Sequence, residues 1–386
     1  MSTSPCVDLA DVAVVDNHCH AVEARQDAGA ADWPAYFTES PDPGMRARDA
    51  GTTVFYHRLI RAMAEFHGVA AETGAVLEAR GRLGTDALVA RLFADAWIGG
   101  VVVDTGYPAP EAAMAGDAFD RVSGAGRVSL LRLEVLFQQL VAENDTWPAL
   151  VDEVRNTLAD VRGSGFAGFK SIVAYRTGLA VERWTADDAQ ASFRAARAEV
   201  AATGAVRLGH KPLLDTLLHL AFAAAAKQEL PVQFHVGYGD PDVDLRRASP
   251  LELRTVFEDP GYRAMPVVLL HGCWPYFREG AYLASVYGNA HLDLSYAIPF
   301  LSLGEMRSMT RAALGVAPLS KLMFSSDGAR VPELHWMGAR DGRRVLSAAL
   351  DELVADGDLG LDEATRAGER ILRDNAAALY GVEVTR

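Results

Sequence analysis

Val12-Ala13-Val14-Val15-Asp16-Asn17-His18-Cys19-His20 is a short apolar run that ends in two histidines two residues apart. Side chains alternate along a strand, so His18 and His20 project from one face at its end while Cys19 points away. Two imidazoles aimed at one point can chelate a metal, although a His-x-His pair suits a polar strand end in water equally well. Later apolar runs tip the balance, because each ends in one residue able to join the same site.

Downstream, apolar runs alternate with helical stretches. Ile98 to Thr105, rich in valine, reads as a second buried strand. Val128 to Phe137 reads as a third, with Leu130, Arg132, Glu134 and Leu136 alternating against Leu131, Leu133 and Val135. Phe166 to Tyr175, Pro231 to Tyr238, Pro266 to Cys273, His291 to Ala297 and Lys321 to Asp327 supply strands four to eight. Helices are predicted from Thr146, a suitable N-cap, to Val161 before Gly163 and Gly165, and again from Ala186 to Thr203 and Pro212 to Glu229. Eight buried strands separated by helices predict an α/β fold closed into a (β/α)8 TIM barrel. A doubly wound open sheet is the runner-up, but His18 and His20 stand where its Gly-x-Gly-x-x-Gly turn belongs. Residues 21–96 are too many for a loop. They begin loop-like around Pro34, Pro41 and Pro43, turn helical from about Met45, and read as a helical insertion within a single domain covering residues 1–386.

Composition narrows the function classes. Half of the 386 residues are apolar, enough for one large core, and the formal charge of -14 is spread without a basic block. Nucleic acid and anionic membrane are thereby excluded as expected partners, and a small-molecule substrate is left. Cys6, Cys19 and Cys273 form no Cys-x-x-Cys pair, which argues against disulfides and a zinc ribbon and fits a reducing cytoplasm. Asp8 and Asp11 interrupt any signal-peptide core, and no run is apolar for long enough to cross a bilayer. Barrels of this size often pair, so a homo-oligomer stays open, without an interface signature to support it.

A barrel gathers the C-terminal ends of its strands on one face. There the sequence puts His18 and His20 from strand one, Lys170 from strand four, His235 from strand five, His271 from strand six and Asp327 from strand eight. Each alone has a plainer reading: a hydrogen-bonded core histidine, a helix N-cap at Asp327, a solvated strand edge at Lys170. As a set on one rim they are harder to assign to chance.

This arrangement resembles the amidohydrolase superfamily, in its amidohydrolase-2 branch, and is most similar to the nodulin-like or FluG-like TIM-barrel metal-dependent hydrolases. The likeness is carried by Gly168-Phe169-Lys170-Ser171-Ile172-Val173-Ala174-Tyr175-Arg176-Thr177-Gly178-Leu179, by Lys211-Pro212-Leu213, and by Pro231 through His235-Val236-Gly237-Tyr238-Gly239-Asp240-Pro241-Asp242. The tail from Asp374-Asn375-Ala376 to Leu379-Tyr380-Gly381 shares it, and the insertion after strand one shares least. The resemblance implies a binuclear divalent-metal site, zinc first and manganese second. His18, His20 and Asp327 would hold one ion, His235 and His271 the other, and a carbamate on Lys170 would bridge them. The rival arrangement is one ion on His18, His20, His235 and Asp327, with His271 acting on substrate and Lys170 structural.

Either arrangement implies hydrolysis of an amide-type C–N bond by metal-activated hydroxide, with Asp327 carrying the proton to the leaving nitrogen and His271 as the second catalytic group. Arg176, beside Tyr175, is placed to clamp a substrate carboxylate. Tyr238 and Asp240 follow His235, with Asp240 either recognising an amino group or orienting a histidine. Trp274, Tyr276, Arg330 and His335 are candidate pocket walls. The glutamine-synthetase fusions of similar proteins point to a γ-glutamyl amide. Two alternatives stay open: metal-dependent nonoxidative decarboxylation of a small carboxylic acid, and a non-catalytic metal-binding barrel.

Overall fold

The computed structural model of the chain describes residues 6–26, 29 and 32–385. Eight parallel strands pair in chain order: β1 Val14–His20, β2 Ile98–Asp104, β3 Gly126–Arg132, β4 Phe166–Ser171, β5 Val232–Phe234, β6 Val267–Leu269, β7 Ala290–Ser295 and β8 Leu322–Ser325. The last strand returns to the first. The Asp327 amide donates to the His18 carbonyl at 3.1 Å, and the His20 amide to the Gly328 carbonyl at 2.7 Å. One rung of this seam is a side chain, since the Ser326 amide donates to Oδ1 of Asp16 at 2.8 Å. The molecule is thus a (β/α)8 barrel.

Two apolar layers follow from strand alternation. Val15, Val102, Leu130, Val268, Leu270 and Met323 fill the barrel, closed beneath by Tyr380 of the C-terminal helix Asn375–Tyr380. The opposite faces pack on the helices, where Phe137, Phe169, Phe222, Phe234 and Trp336 are buried.

Strand ends differ from the sequence expectation in one instructive place. The third strand stops at Arg132 rather than Phe137, and a helix, Leu133–Glu143, begins at once. Leu133, Phe137, Leu140 and Val141 are buried on one side of it, a helical spacing that the preceding period-two alternation masked. Strands four, five, six and eight are also shorter than predicted: the chain leaves the ladder before His235, His271 and Asp327, whereas Lys170 stays within β4. The helix Trp147–Thr157 does start after the Thr146 cap, whose hydroxyl accepts from the Ala149 amide.

The long β1–β2 connection is helical, with helices Val54–His67, Thr73–Gly81 and Thr85–Asp95. The loop expected to open it includes residues 27, 28, 30 and 31, which lie outside the described residues. Its third helix packs as an ordinary crossover: Asp95 accepts from the indole of Trp336 at 2.6 Å. The additional part is therefore the stretch before it. That stretch is tied to the barrel rim by buried Arg80, whose guanidinium pairs with Glu333 at 2.5 Å and lies 4.5 Å over the Trp33 ring.

Candidate metal centre

β1 carries His18 and His20 on one side with ring centroids 4.9 Å apart, while Cys19 faces the opposite layer, buried near the Val102 carbonyl. Asp16, two residues earlier on the same side, points into the seam. Its carboxylate accepts from the His18 amide, the Ser326 amide and the Ser326 hydroxyl, and so fixes the backbone flanking both His18 and Asp327.

The atoms able to ligate a metal converge. Nε2 of His18 lies 3.5 Å and Nε2 of His20 3.7 Å from Oδ1 of Asp327, and one atom from each residue fits within 4.8 Å of the others. His271 approaches from β6 with Nδ1 3.1 Å from Oδ2 of Asp327. Backbone strain accompanies this placement, for His271 and Asp327 sit at φ of +62° and +54°, a region costing a non-glycine residue about 1–3 kcal/mol. Lys170 is fully buried with Nζ 3.3 Å from Nε2 of His18.

His235 is engaged differently. Its Nε2–H donates to the Tyr238 carbonyl at 2.7 Å, so its Nδ1 accepts from Nε2 of His271 at 2.8 Å, and neither ring nitrogen faces the cluster free. Gly237 makes this turn possible. It has a φ of +80°, and a Cβ there would lie 2.1 Å from the Trp274 carbonyl oxygen.

Electrostatics favour the ligand forms. Burial, reinforced by Lys170, holds His18 well below the usual imidazole pKa, and burial lowers His20 to about 4, so both rings are neutral near pH 7. Burial opposes ionisation of Asp327, but the imidazoles of His271, His18 and His20 outweigh it and keep the carboxyl well below its ordinary value. Burial brings Lys170 down to about 8. The residues fit a divalent ion on a local observation as well. Nδ1 of His271 lies 3.1 Å from Oδ2 of Asp327 without a well-aligned hydrogen bond. A nitrogen and a carboxylate oxygen so placed suit a shared divalent cation.

The cluster forms the floor of a cavity of about 650 Å³, into which Tyr175, Arg176, Tyr238, Asp240 and Arg330 all face. Nε of Arg176 is buried and without a partner. Arg330 is already paired with Glu23 at 2.6 Å and lies over the Tyr36 ring. Trp274 stays out of the lining: its ring packs 5.2 Å from Phe300 and its indole N–H donates to Glu305. Tyr276 donates to the Leu245 carbonyl, and His335 is buried behind β1 with Nε2–H on the His20 carbonyl. Neither is a wall.

Several residues in and around the cavity escape the strand-end reading. Asp104, at the end of β2, is fully buried; burial opposes its charge, and the Arg132 guanidinium overcomes that to lower its pKa. The rule that found His18, an apolar run ending in a polar residue, finds Asp104 too. Glu134 accepts from the Ser171 hydroxyl and the Ile172 amide, holding the chain just beyond Lys170. Glu39 comes from the insertion, where no periodicity marks it.

A TIM barrel with two histidines of β1 and the aspartate after β8 converging beneath an open cavity defines a class, the metal-dependent hydrolase-like barrels. The chain belongs to the amidohydrolase family, whose model matches residues 15–382. Protein fluG of Emericella nidulans is 36% identical over 220 residues, 55% of this chain, and the match spans 25% of that protein. A Lactobacillus casei protein provisionally described as a metal-dependent hydrolase superposes with a TM-score of 0.86 at 29% identity, over 98% of both chains. The uronate isomerase of Thermotoga maritima shares the fold, with a TM-score of 0.69 at 12% identity over 96% of this chain and 95% of its own. Among the described residues no helix is long and apolar enough to cross a membrane.

Proposed function

We propose that the protein is a metal-dependent hydrolase of an amide-type C–N bond in a carboxylate-bearing substrate, with a γ-glutamyl amide as the first substrate class. The observation that carries this reading is the convergence of His18, His20 and Asp327 on one point, with Nδ1 of His271 3.1 Å from the other Asp327 oxygen. These four residues would hold one divalent ion, zinc before manganese. A bound ion of this kind supplies Lewis acidity toward a carbonyl oxygen and lowers the pKa of water.

The chain's own groups do the rest. Asp327, ionised and accepting from the Tyr238 hydroxyl at 2.8 Å, takes the proton of the attacking water and delivers it to the leaving nitrogen. Arg176 binds the substrate carboxylate through its unpartnered guanidinium edge. Lys170 beside His18 competes with a cation while it is an ammonium. Its neutral amine adds carbon dioxide, losing one proton, to give a carbamate whose negative charge suits the site. A second ion on His235 and that carbamate requires both hydrogen bonds of His235 to open, so this reading takes one ion.

A single ion also keeps nonoxidative decarboxylation in view. One experiment separates the two: zinc- or manganese-loaded protein is incubated with a panel of γ-glutamyl and N-acyl compounds while released amine and carbon dioxide are followed together. Amine without carbon dioxide supports hydrolysis, and carbon dioxide without amine overturns it.

A further inference from the structure

His271 leaves β6 through a left-handed turn. His271, Gly272 and Cys273 follow one another at φ of +62°, +55° and +54°. L-residues enter this region singly as a rule, so a run of three persists only where its surroundings hold it. Packing supplies part of the restraint. A Cβ on Gly272 would run into the Met309 thioether of the helix Leu303–Leu314, and one on Gly280 into Sγ of Cys273. A polar restraint is added from β7, where Oδ1 of Asp293 accepts the Gly272 amide at 2.9 Å.

Asp293 is fully buried and has no part in the proposed chemistry. It stands level with Met323 of β8, whose side chain fills the barrel, so its carboxylate enters the barrel interior. There it lies outside the cavity lining and meets no substrate. The Ser295 hydroxyl, 3.4 Å from Oδ2 of Asp293, is 2.9 Å from the Ser325 hydroxyl, which ties this polar patch to β8. The turn held by Asp293 carries more than His271. Its Trp274 carbonyl accepts the Tyr238 amide at 2.8 Å, and Tyr238 in turn holds His235 through its carbonyl and Asp327 through its hydroxyl. Pinning the Gly272 amide therefore steadies the His271 ring directly and the Tyr238 loop at one remove.

We propose that Asp293 is a positioning residue, whose carboxylate holds the left-handed turn at Gly272 and so aims Nδ1 of His271 at Asp327. Its effect on metal binding rests on the reading of His271 as a ligand, whereas the aim of the ring does not.

The test follows the His271 ring and the metal separately. Imidazole nitrogen NMR shifts of the metal-free protein are recorded for wild type and three variants. Asp293→Ala removes the acceptor, Asp293→Leu removes it while filling the space, and Asp293→Asn keeps an acceptor for the Gly272 amide. Zinc is then titrated calorimetrically into the same proteins, into His271→Ala, and into the His271→Ala/Asp293→Ala double variant. Asp293→Ala and Asp293→Leu move the His271 and His235 signals, leave that of His219 on the outer face in place, and weaken zinc binding about 10–100-fold. Asp293→Asn stays within about threefold of wild type, and Asp293→Ala adds less than about threefold once His271 is gone. Unmoved His271 signals, an Asp293→Asn protein as impaired as Asp293→Ala, or an equal loss of zinc affinity with and without His271 overturns the positioning role. Moved signals together with a His271→Ala protein that binds zinc as tightly as wild type overturn the place of His271 among the ligands and leave the positioning role standing.

Discussion

Nε2 of His271 lies 2.8 Å from Nδ1 of His235, and the far nitrogen of His235 is held by the Tyr238 carbonyl at 2.7 Å. This relay sets the tautomer of His271 and turns its Nδ1 toward Asp327. Under the one-ion proposal, His235 orients a ligand instead of serving as one. His235→Ala is expected to bind one equivalent of zinc still, with affinity lowered about 10–100-fold, the usual effect of losing an orienting partner. Metal analysis after equilibrium dialysis checks this. Wild type with two equivalents and the variant with one would instead make His235 a ligand of a second ion.

Asp16 is the side-chain rung that closes the barrel. Its carboxylate takes three donors, from His18 and Ser326, inside a fully buried seam. Asp16→Ala leaves those donors unsatisfied and should cost about 3 kcal/mol of stability. Urea denaturation reads it directly, and a loss below about 1 kcal/mol would show that the seam does not depend on this carboxylate.

Arg176 is expected to act on binding more than on chemistry. Arg176→Ala should raise KM for a carboxylate-bearing substrate by about 10–100-fold while kcat changes little, and Arg176→Lys should recover part of the loss. Steady-state kinetics on an amide with and without the carboxylate is the check. An equal effect on both substrates contradicts the assignment.

Acid sensitivity has a separate source in β7. Burial, then Lys321, lowers the His291 pKa from 6.5 to about 4. As pH falls the unfolded chain takes up this proton first, so the associated stability is fully present above pH 6.5 and is lost between about 6.5 and 4. Denaturation curves of His291→Gln should therefore fall less steeply than those of wild type across that window. Parallel curves would remove His291 from the account.

The barrel and the cluster of His18, His20 and Asp327 were legible in the chain because both rest on one regularity: an apolar run buried on two faces, then a polar residue where the strand reaches the rim. That regularity located His18, His20, Lys170, His271 and Asp327. It could not say that both ring nitrogens of His235 are engaged, because that depends on a carbonyl three residues on and a ring from the next strand. It also overran the end of β3, where Leu131, Leu133 and Val135 keep a period of two across a strand-to-helix boundary. Glu39 was invisible for a different reason. It lies among prolines in an irregular segment, and only the fold of the insertion over the rim brings it near Asp327.

The central claim is that His18, His20 and Asp327 hold a divalent ion on which turnover depends. Zinc titrated calorimetrically into chelator-stripped wild type, His18→Ala and Asp327→Ala tests it most directly. Wild type should bind one tight equivalent and both variants should lose it, each remaining folded by circular dichroism. Folded wild type that takes up no zinc or manganese, or variants that bind as tightly as wild type, would contradict it.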